Sequence, residues 1–176
     1  MKTLLSILFL LQGLLLFGQT SKSPPATLKS ILLEELKSTH NQEGWFVPVS
    51  IAIQGVTGEQ ANWKDRSGNH SIIELVNHLT FWDQRYLEKF QGQKTAQFSG
   101  DNEQTFRSQE SWEASVRALD KVLTEWEQAV QAADDTKLSK WASTIAHVAT
   151  HNAYHTGEIV YIRRQQGSWN PKLGVH

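Results

Sequence analysis

The sequence predicts an all-α protein of the four-helix bundle class. Four segments carry apolar residues at every third or fourth position, which is the spacing of a helix buried along one face. No segment shows the strict alternation of apolar and polar residues that indicates a half-buried strand. The 176 residues are enough for one domain with its own core. Four amphipathic helices favour a bundle, and the connections are long enough to vary its topology.

The first helix is predicted to start at Ser23-Pro24-Pro25, because proline is tolerated in the first turn. Its apolar positions are Leu28, Ile31, Leu32 and Leu36. Glycine and proline then interrupt the pattern. Within this region the segment GVTGEQANW predicts a short helix or turn that leads to a buried Trp63.

The second helix starts at a capping box, with Ser71 as the N-cap and Glu74 at the third helical position. Its apolar stripe runs towards Gly92 through Ile72, Leu75, Leu79, Trp82 and Tyr86. The polar segment 93–106 that follows is predicted to be a loop.

The third helix has the clearest apolar stripe in the chain and ends at Ala132-Ala133-Asp134-Asp135. The stripe consists of Trp112, Val116, Leu119, Leu123, Trp126 and Val130. The last helix ends near Gly167 and is marked by Trp141, Ile145, Val148, Ile159 and Ile162. The pair Arg163-Arg164 is predicted to be a solvated helix end, where cations meet the free carbonyl groups.

Residues 1–18 have the composition of a secretory signal peptide. A short positive start precedes an apolar run from Leu4 to Phe17, and small or polar residues follow Gly18. This run of 14 residues is shorter than the roughly 20 that a spanning helix needs, which argues against the alternative of an uncleaved anchor. We therefore expect cleavage after Gly18, a domain over residues 24–170, no stable membrane insertion after cleavage, and a periplasmic or secreted location.

Charge and composition exclude several classes of function. The formal net charge is −1, and it becomes −2 when Lys2 is lost with the leader. The basic residues are scattered, so nucleic acid is excluded as a partner and a small-molecule substrate is expected. The chain has no cysteine, which excludes disulfides, zinc thiolates, a cysteine nucleophile and lipid attachment at cysteine.

Three histidines, His147, His151 and His155, stand four residues apart near the C terminus. On a helical wheel His155 lies within the apolar stripe, His151 lies at its edge, and His147 lies outside it, about 12 Å along the axis from His155. The candidate metal ligands are therefore His151 and His155, joined by His78 from the inner face of the second helix. Three imidazoles suit Zn²⁺ or Ni²⁺, with Mn²⁺ and Fe²⁺ as further candidates, and leave a position open for water or substrate. The alternative is a set of histidines that are only hydrogen-bonded, because HxxxH arises by chance in a chain with seven histidines.

Other residues of the last helix have more than one interpretation. Glu158 is a candidate general base, an outer partner of a ligand imidazole, or a solvated carboxylate. Tyr154 and Tyr161 line a pocket mouth or pack in the ordinary way. Gly157 permits close helix approach or leaves room for the metal. Asn152 is predicted to be a buried amide that must hydrogen-bond and can orient a ligand.

Two long segments resemble the DinB/YfiT-like family. SIIELVNHLTFWDQRYLEKF resembles the second helix of that family, and AHVATHNAYHTGEIVYIRRQQG resembles its last helix, where HxxxHxGQ-type motifs occur. GVTGEQANWK resembles the stretch before the second helix, and the whole resemblance covers residues 28–167. It implies a four-helix bundle with a divalent metal site whose ligands fall on His78, His151 and His155.

The resemblance also implies a reaction class. Characterised members of the family include thiol-dependent transferases and isomerases that use bacillithiol or mycothiol, in which the metal lowers the pKa of the thiol. The leader argues against such a cofactor, because these thiols are scarce outside the cytoplasm, and hydrolysis by metal-activated water is at least as well supported. Thr156 and Glu158 replace the Arg and Gln that the family often has beside Gly157, so the substrates of those members are not carried over.

Three functions stay open at this stage. The first is an exported, metal-dependent hydrolase or transferase that acts on a small molecule. The second is a metal-binding or small-ligand-binding bundle without turnover. The third is a purely structural bundle, such as a homodimer formed through an exposed apolar helix face.

Overall fold

The computed structural model describes residues 25–66 and 68–173. It is all-helical, with 68% of these residues in helical segments and no strand among them. The signal peptide expected at residues 1–18 lies outside the described residues. The α-helices are α1 Leu28–His40, α2 Val49–Ala52, α3 Gly58–Asn62, α4 Ile72–Phe90, α5 Trp112–Ala132 and α6 Asp135–Gln165, and the two 3-10 turns are Asn102–Phe106 and Pro171–Leu173.

The four longest helices pack around an apolar core. Helices α1 and α4 each contact both α5 and α6, while the short helices α2 and α3 pack against α6 and α4. Side chains that are completely buried in this core include Leu79, Trp126, Ile145 and Ile159. Removal of this apolar surface from water is the main force that holds the helices together. Within the described part of the chain, no helix is both long enough and apolar enough to cross a membrane.

Polar side chains cap the helix starts, where the first backbone N–H groups lack partners within the helix. The predicted capping box of α4 is confirmed, because the backbone N–H of Ser71 donates to the Glu74 carboxylate at 2.8 Å. Thr27 caps α1 and Thr57 caps α3 in the same reciprocal way. Asp134 caps α6, which places the break between α5 and α6 where the sequence predicts it. These local interactions fix where each helix begins.

The prediction of a buried Trp63 is wrong, because this side chain is 37% exposed. Trp63 is the first residue after α3 and has an extended backbone, which takes its ring off the buried face of that helix. The indole buried in this region belongs instead to Trp112 at the start of α5. Its Nε1–H donates to the carbonyl oxygen of Val56 at 2.7 Å and so joins α5 to the loop before α3.

The prediction of a solvated Arg163 is also wrong, whereas Arg164 is exposed as expected. Arg163 is only 4% exposed, and its guanidinium donates to the carbonyl oxygens of Ala52 and Ser168 at 2.7 and 2.9 Å. The chain turns back after α6, so that the Trp169 ring lies 5.2 Å from the Arg163 guanidinium carbon. This return of the chain covers a side chain that would otherwise lie at an open helix end.

The loop prediction holds for residues 93–101, but Asn102–Phe106 forms a 3-10 turn that packs against α4. Thr105 and Phe106 in this turn are buried, at 3% and 6% exposure. The polar composition of the segment gives no sign of this burial. The turn places both side chains next to His78 on α4.

Candidate metal centre

Three imidazole nitrogens meet between α4 and α6. The Nε2 atom of His151 lies 3.2 Å from Nε2 of His78 and 3.1 Å from Nε2 of His155. His78 and His155 are buried, and His151 is half-buried. These three histidines are the one group in the described residues whose ligand atoms lie close enough together to share a metal ion. The structure thus brings together the three residues that the sequence predicts as ligands.

Helix geometry accounts for this convergence. His151 and His155 are one turn apart on α6, so their side chains lie on the same face, one above the other. His78 projects from α4, where its ring stacks on Phe106 with centroids 4.0 Å apart and planes 8° apart. His147 is exposed and does not belong to the group, as the wheel predicts.

The hydrogen bonds on the far side of two rings determine which nitrogen faces the cluster. Thr105 donates its hydroxyl proton to the Asn102 carbonyl oxygen at 2.6 Å, so at its 2.5 Å contact with His78 it accepts the Nδ1 proton. The Nδ1–H of His155 likewise donates to the Glu158 carboxylate at 2.6 Å. Both rings therefore turn an unprotonated Nε2 towards His151, which is the form that binds metal.

Burial keeps two of the imidazoles neutral. Loss of hydration, followed by the proximity of His155 and His151, lowers the pKa of His78 from 6.5 to about 3. Loss of hydration and then His155 lower the pKa of His151 from 6.5 to about 4, although the charge of Glu158 acts in the opposite direction. At neutral pH both rings are therefore uncharged donors.

These features fit a divalent ion. Two nitrogens that bind the same tetrahedral ion at about 2.0–2.1 Å lie about 3.3 Å apart, close to the two contacts of 3.1 and 3.2 Å. The donor set is three imidazoles, two of which have a hydrogen-bond acceptor on the opposite nitrogen. Such a set suits Zn²⁺ or Ni²⁺ and leaves room for a further ligand.

A cavity of about 600 Å³ lies beside the cluster, between α4 and α6. Its walls include His151 of the cluster, the neighbouring His147 and the aromatic rings of Trp82, Tyr86 and Tyr154. Of the two tyrosines considered from the sequence, Tyr154 lines the cavity, whereas Tyr161 is exposed and does not.

A second cavity of about 480 Å³ is lined partly by His40, near the end of α1. The His40 imidazole is buried, with Nδ1 2.7 Å from a Glu127 oxygen and Nε2 3.1 Å from an Asp120 oxygen. Both ring nitrogens are thus occupied by carboxylates from opposite sides. The arrangement ties α1 to α5 and leaves no free nitrogen for a ligand.

Two further predictions for α6 need correction. Gly157 is exposed, and a Cβ placed there would meet no other part of the structure within 4 Å, so close helix approach does not require it.

Asn152 is fully buried, but no described residue gives its amide a hydrogen bond of acceptable geometry. Its neighbour is Asp83 on α4, whose two carboxyl oxygens are also without such a bond. Complete burial raises the pKa of Asp83 well above its usual value, and the Asn152 amide offsets part of the rise.

The sequence reasoning missed Thr105 and Asp83. Nothing in the polar segment before α5 indicates that Thr105 reaches a buried imidazole. Asp83 did carry a signal, because it stands midway between Leu79 and Leu87 at steps of four on the buried face of α4.

Comparison with known proteins places these residues in a family context. A family model described as DinB superfamily matches residues 49–159, which is more than half of the chain. The matched segment contains all three histidines of the cluster. No curated protein and no solved structure gives a significant match.

Proposed function

Because the chain belongs to the DinB superfamily, we propose that it binds one divalent metal ion through His78, His151 and His155 and uses it in hydrolysis or group transfer on a small molecule. DinB-like proteins are metal-binding, which agrees with the proposed ligand set. The proposal includes an exported protein, located in the periplasm or secreted, whose four longest helices form one four-helix bundle. The apolar leader at residues 1–18 supports the export.

The observation that carries this proposal is the common focus of three Nε2 atoms, two of them on rings whose Nδ1–H groups are held elsewhere. Histidines that served only as hydrogen-bonded residues of the helix interface would not need their unprotonated nitrogens to face one another. A single proton on Nε2 of His151 can be donated fully to only one of its two neighbours, whereas a cation at the focus would satisfy all three nitrogens.

A divalent ion held there would supply Lewis acidity, which polarises a carbonyl group and lowers the pKa of a water or thiol. The contribution of the protein is to position the donors and to limit access of solvent. Thr105 and Glu158 orient the rings of His78 and His155 through their Nδ1 protons. The side chain of Glu158 is 42% exposed, so its second oxygen is available to accept a proton, as the general-base interpretation requires.

Metal content tests the proposal directly. The protein is purified without a histidine tag, as wild type and as a His151→Ala/His155→Ala double variant, and bound metals are measured by plasma mass spectrometry. We expect about one equivalent of Zn²⁺ or Ni²⁺ in the wild type and none in the double variant, because two of three ligands are lost. His147→Ala is the matched control, since it removes an exposed histidine of the same helix that lies outside the cluster.

Absence of metal from the wild type, even after reconstitution with Zn²⁺ or Ni²⁺, would contradict the proposal. Equal loss of metal in His147→Ala would show that the ligand assignment is wrong. Activity assays on the metal-loaded protein then separate an enzyme from a bundle that binds metal without turnover. The reactions to assay are hydrolysis of simple esters and amides and transfer reactions of thiol conjugates.

A further inference from the structure

The cavity beside the metal centre has walls that select for a particular kind of ligand. We propose that it binds an uncharged aromatic group, so that the substrate is a small molecule that carries an aryl ring. The binding of an aromatic group is inferred from the cavity alone, whereas the identification of this ligand as the substrate rests on the function proposed above.

Aromatic rings supply much of the cavity surface. Trp82 and Tyr86 come from α4, Tyr154 comes from α6, and the buried Val148 adds an aliphatic side chain to the lining. Contacts between aromatic rings in offset or edge-on geometry are stabilised beyond the burial of their apolar area alone. A volume of about 600 Å³ is typical of sites that enclose a small organic ligand.

The central ring of the wall is held in place before any ligand arrives. Trp82 packs edge-on against Phe81 at 5.2 Å and against Phe98 at 5.5 Å between ring centres. It also lies edge-on to the metal-site residue His78 at 6.5 Å. A wall that is already ordered costs little conformational entropy when it binds a ligand. It also places that ligand next to the histidine cluster.

The charge of the lining excludes most ionic ligands. The lining contains neither Lys nor Arg among the described residues, and Lys89, whose Nζ lies 5.0 Å from the centre of the Tyr86 ring, is not part of it. The one carboxyl group in the lining belongs to Asp83, whose side chain is only 1% exposed and whose pKa burial raises well above its usual value. An ion in the cavity would lose hydration and would find no exposed Asp, Glu, Lys or Arg side chain in the lining to pair with.

One histidine of the cluster lines the cavity. His151 is both a wall of the cavity and the central member of the Nε2 cluster. A ligand whose ring occupies the cavity therefore lies next to the His151 imidazole. Tyr154, which is 64% exposed, lies at the rim and would be covered by that ring.

The first experiment measures binding of a neutral aromatic probe to the metal-free protein. Isothermal titration compares 2-naphthol with its saturated analogue, 2-decalol. We expect 2-naphthol to bind at least tenfold more tightly, and Tyr154→Ala to weaken its binding about tenfold, since a ring–ring contact is lost. Tyr161→Ala is the matched control, because it removes a tyrosine of similar exposure on the same helix outside the cavity.

Three results would overturn the inference: equal affinity for the two probes, no measurable binding of 2-naphthol, or equal effects of the two tyrosine variants. Both tyrosines are exposed, so neither variant is expected to unfold the protein, and circular dichroism checks this. A Thr144→Trp variant gives a second test, because it should fill the cavity from its wall and abolish binding of 2-naphthol.

The second experiment connects the cavity to the metal centre. On the zinc-loaded protein, benzohydroxamate should bind at least tenfold more tightly than acetohydroxamate, and Tyr154→Ala should remove this preference. Equal binding of the two hydroxamates would refute an aryl-bearing substrate. If the protein binds 2-naphthol but no zinc, the proposed function fails and the aromatic cavity stands. If it binds zinc but shows no aromatic preference, the inference fails and the metal site stands.

Discussion

The Glu158 carboxylate accepts the Nδ1 proton of His155 at 2.6 Å, and this bond determines which nitrogen His155 turns towards the cluster. We expect Glu158→Ala to weaken zinc binding about 10- to 100-fold, because the imidazole loses both its orientation and part of its basicity. Glu158→Gln should weaken it less, since the amide oxygen still accepts the proton. Competition with a zinc-binding dye measures both affinities.

The same pair of variants separates two roles of Glu158. If Glu158→Gln keeps zinc but loses turnover, the carboxylate acts as a general base, because an amide cannot take up a proton. If Glu158→Gln keeps both zinc and turnover, Glu158 only positions the His155 ring. Unchanged zinc affinity in Glu158→Ala would show that the contact with His155 has no influence on the site.

Sequence reasoning at the residue scale succeeds where a helix determines the direction of a side chain. The spacing of four and the apolar stripe were sufficient to select His151 and His155 and to set His147 aside. Thr105 could not be found in this way, because its contact with His78 depends on the path of the chain through the segment before α5. The prediction that Arg163 is solvated is wrong for a related reason, since the burial of this side chain depends on the turn that the chain takes after α6.

At the scale of the element, α6 combines a metal-binding stretch with a residue that weakens helices. Gly157 lies inside this helix of 31 residues and is exposed, and apart from its chain neighbours and the nearby backbone of α6, no atom lies within 4 Å of the position that a Cβ would take. We expect Gly157→Ala to stabilise the protein by about 0.5–1 kcal/mol, because alanine loses less backbone entropy in a helix. Urea unfolding at neutral pH measures the change, and metal content should stay the same.

Gly92 provides the matched control for this prediction. It also has open space around a Cβ position, but its φ of +83° ends α4 in the left-handed region. Gly92→Ala should therefore destabilise the protein by about 1 kcal/mol. If Gly157→Ala instead lowers stability or expels the metal, the interpretation that glycine leaves room for the ion becomes the better one.

The elements themselves were predictable because their signals are local. The capping box at Ser71, the stripe of α5 and the break before α6 each depend on residues within a few positions of one another. The exposure of Trp63 was not, because it depends on the direction in which the chain leaves α3.

At the scale of the whole molecule, the histidine cluster links α4 to α6 and makes stability depend on pH. The folded metal-free protein holds His78 and His151 at pKa values of about 3 and about 4, against 6.5 for an unperturbed imidazole. The unfolded chain therefore binds protons at a higher pH than the folded chain does. The contribution of these two imidazoles to stability is therefore fully present above about pH 6.5 and is lost as the pH falls towards their folded-state pKa values, because protons pull the equilibrium towards the unfolded state.

We expect the urea midpoint of the metal-free protein to fall between about pH 7.5 and about pH 5. A His78→Gln/His151→Gln variant should show a smaller fall, since two of the titrating groups are removed while the carboxylates that titrate in acid are the same in both proteins. Zinc should raise the wild-type midpoint at pH 7.5 and lose this effect at pH 5, because protons and metal compete for the same nitrogens. A midpoint with the same pH dependence in both proteins would mean that these imidazoles do not form a neutral, buried group, and the metal centre would then lose its physical basis.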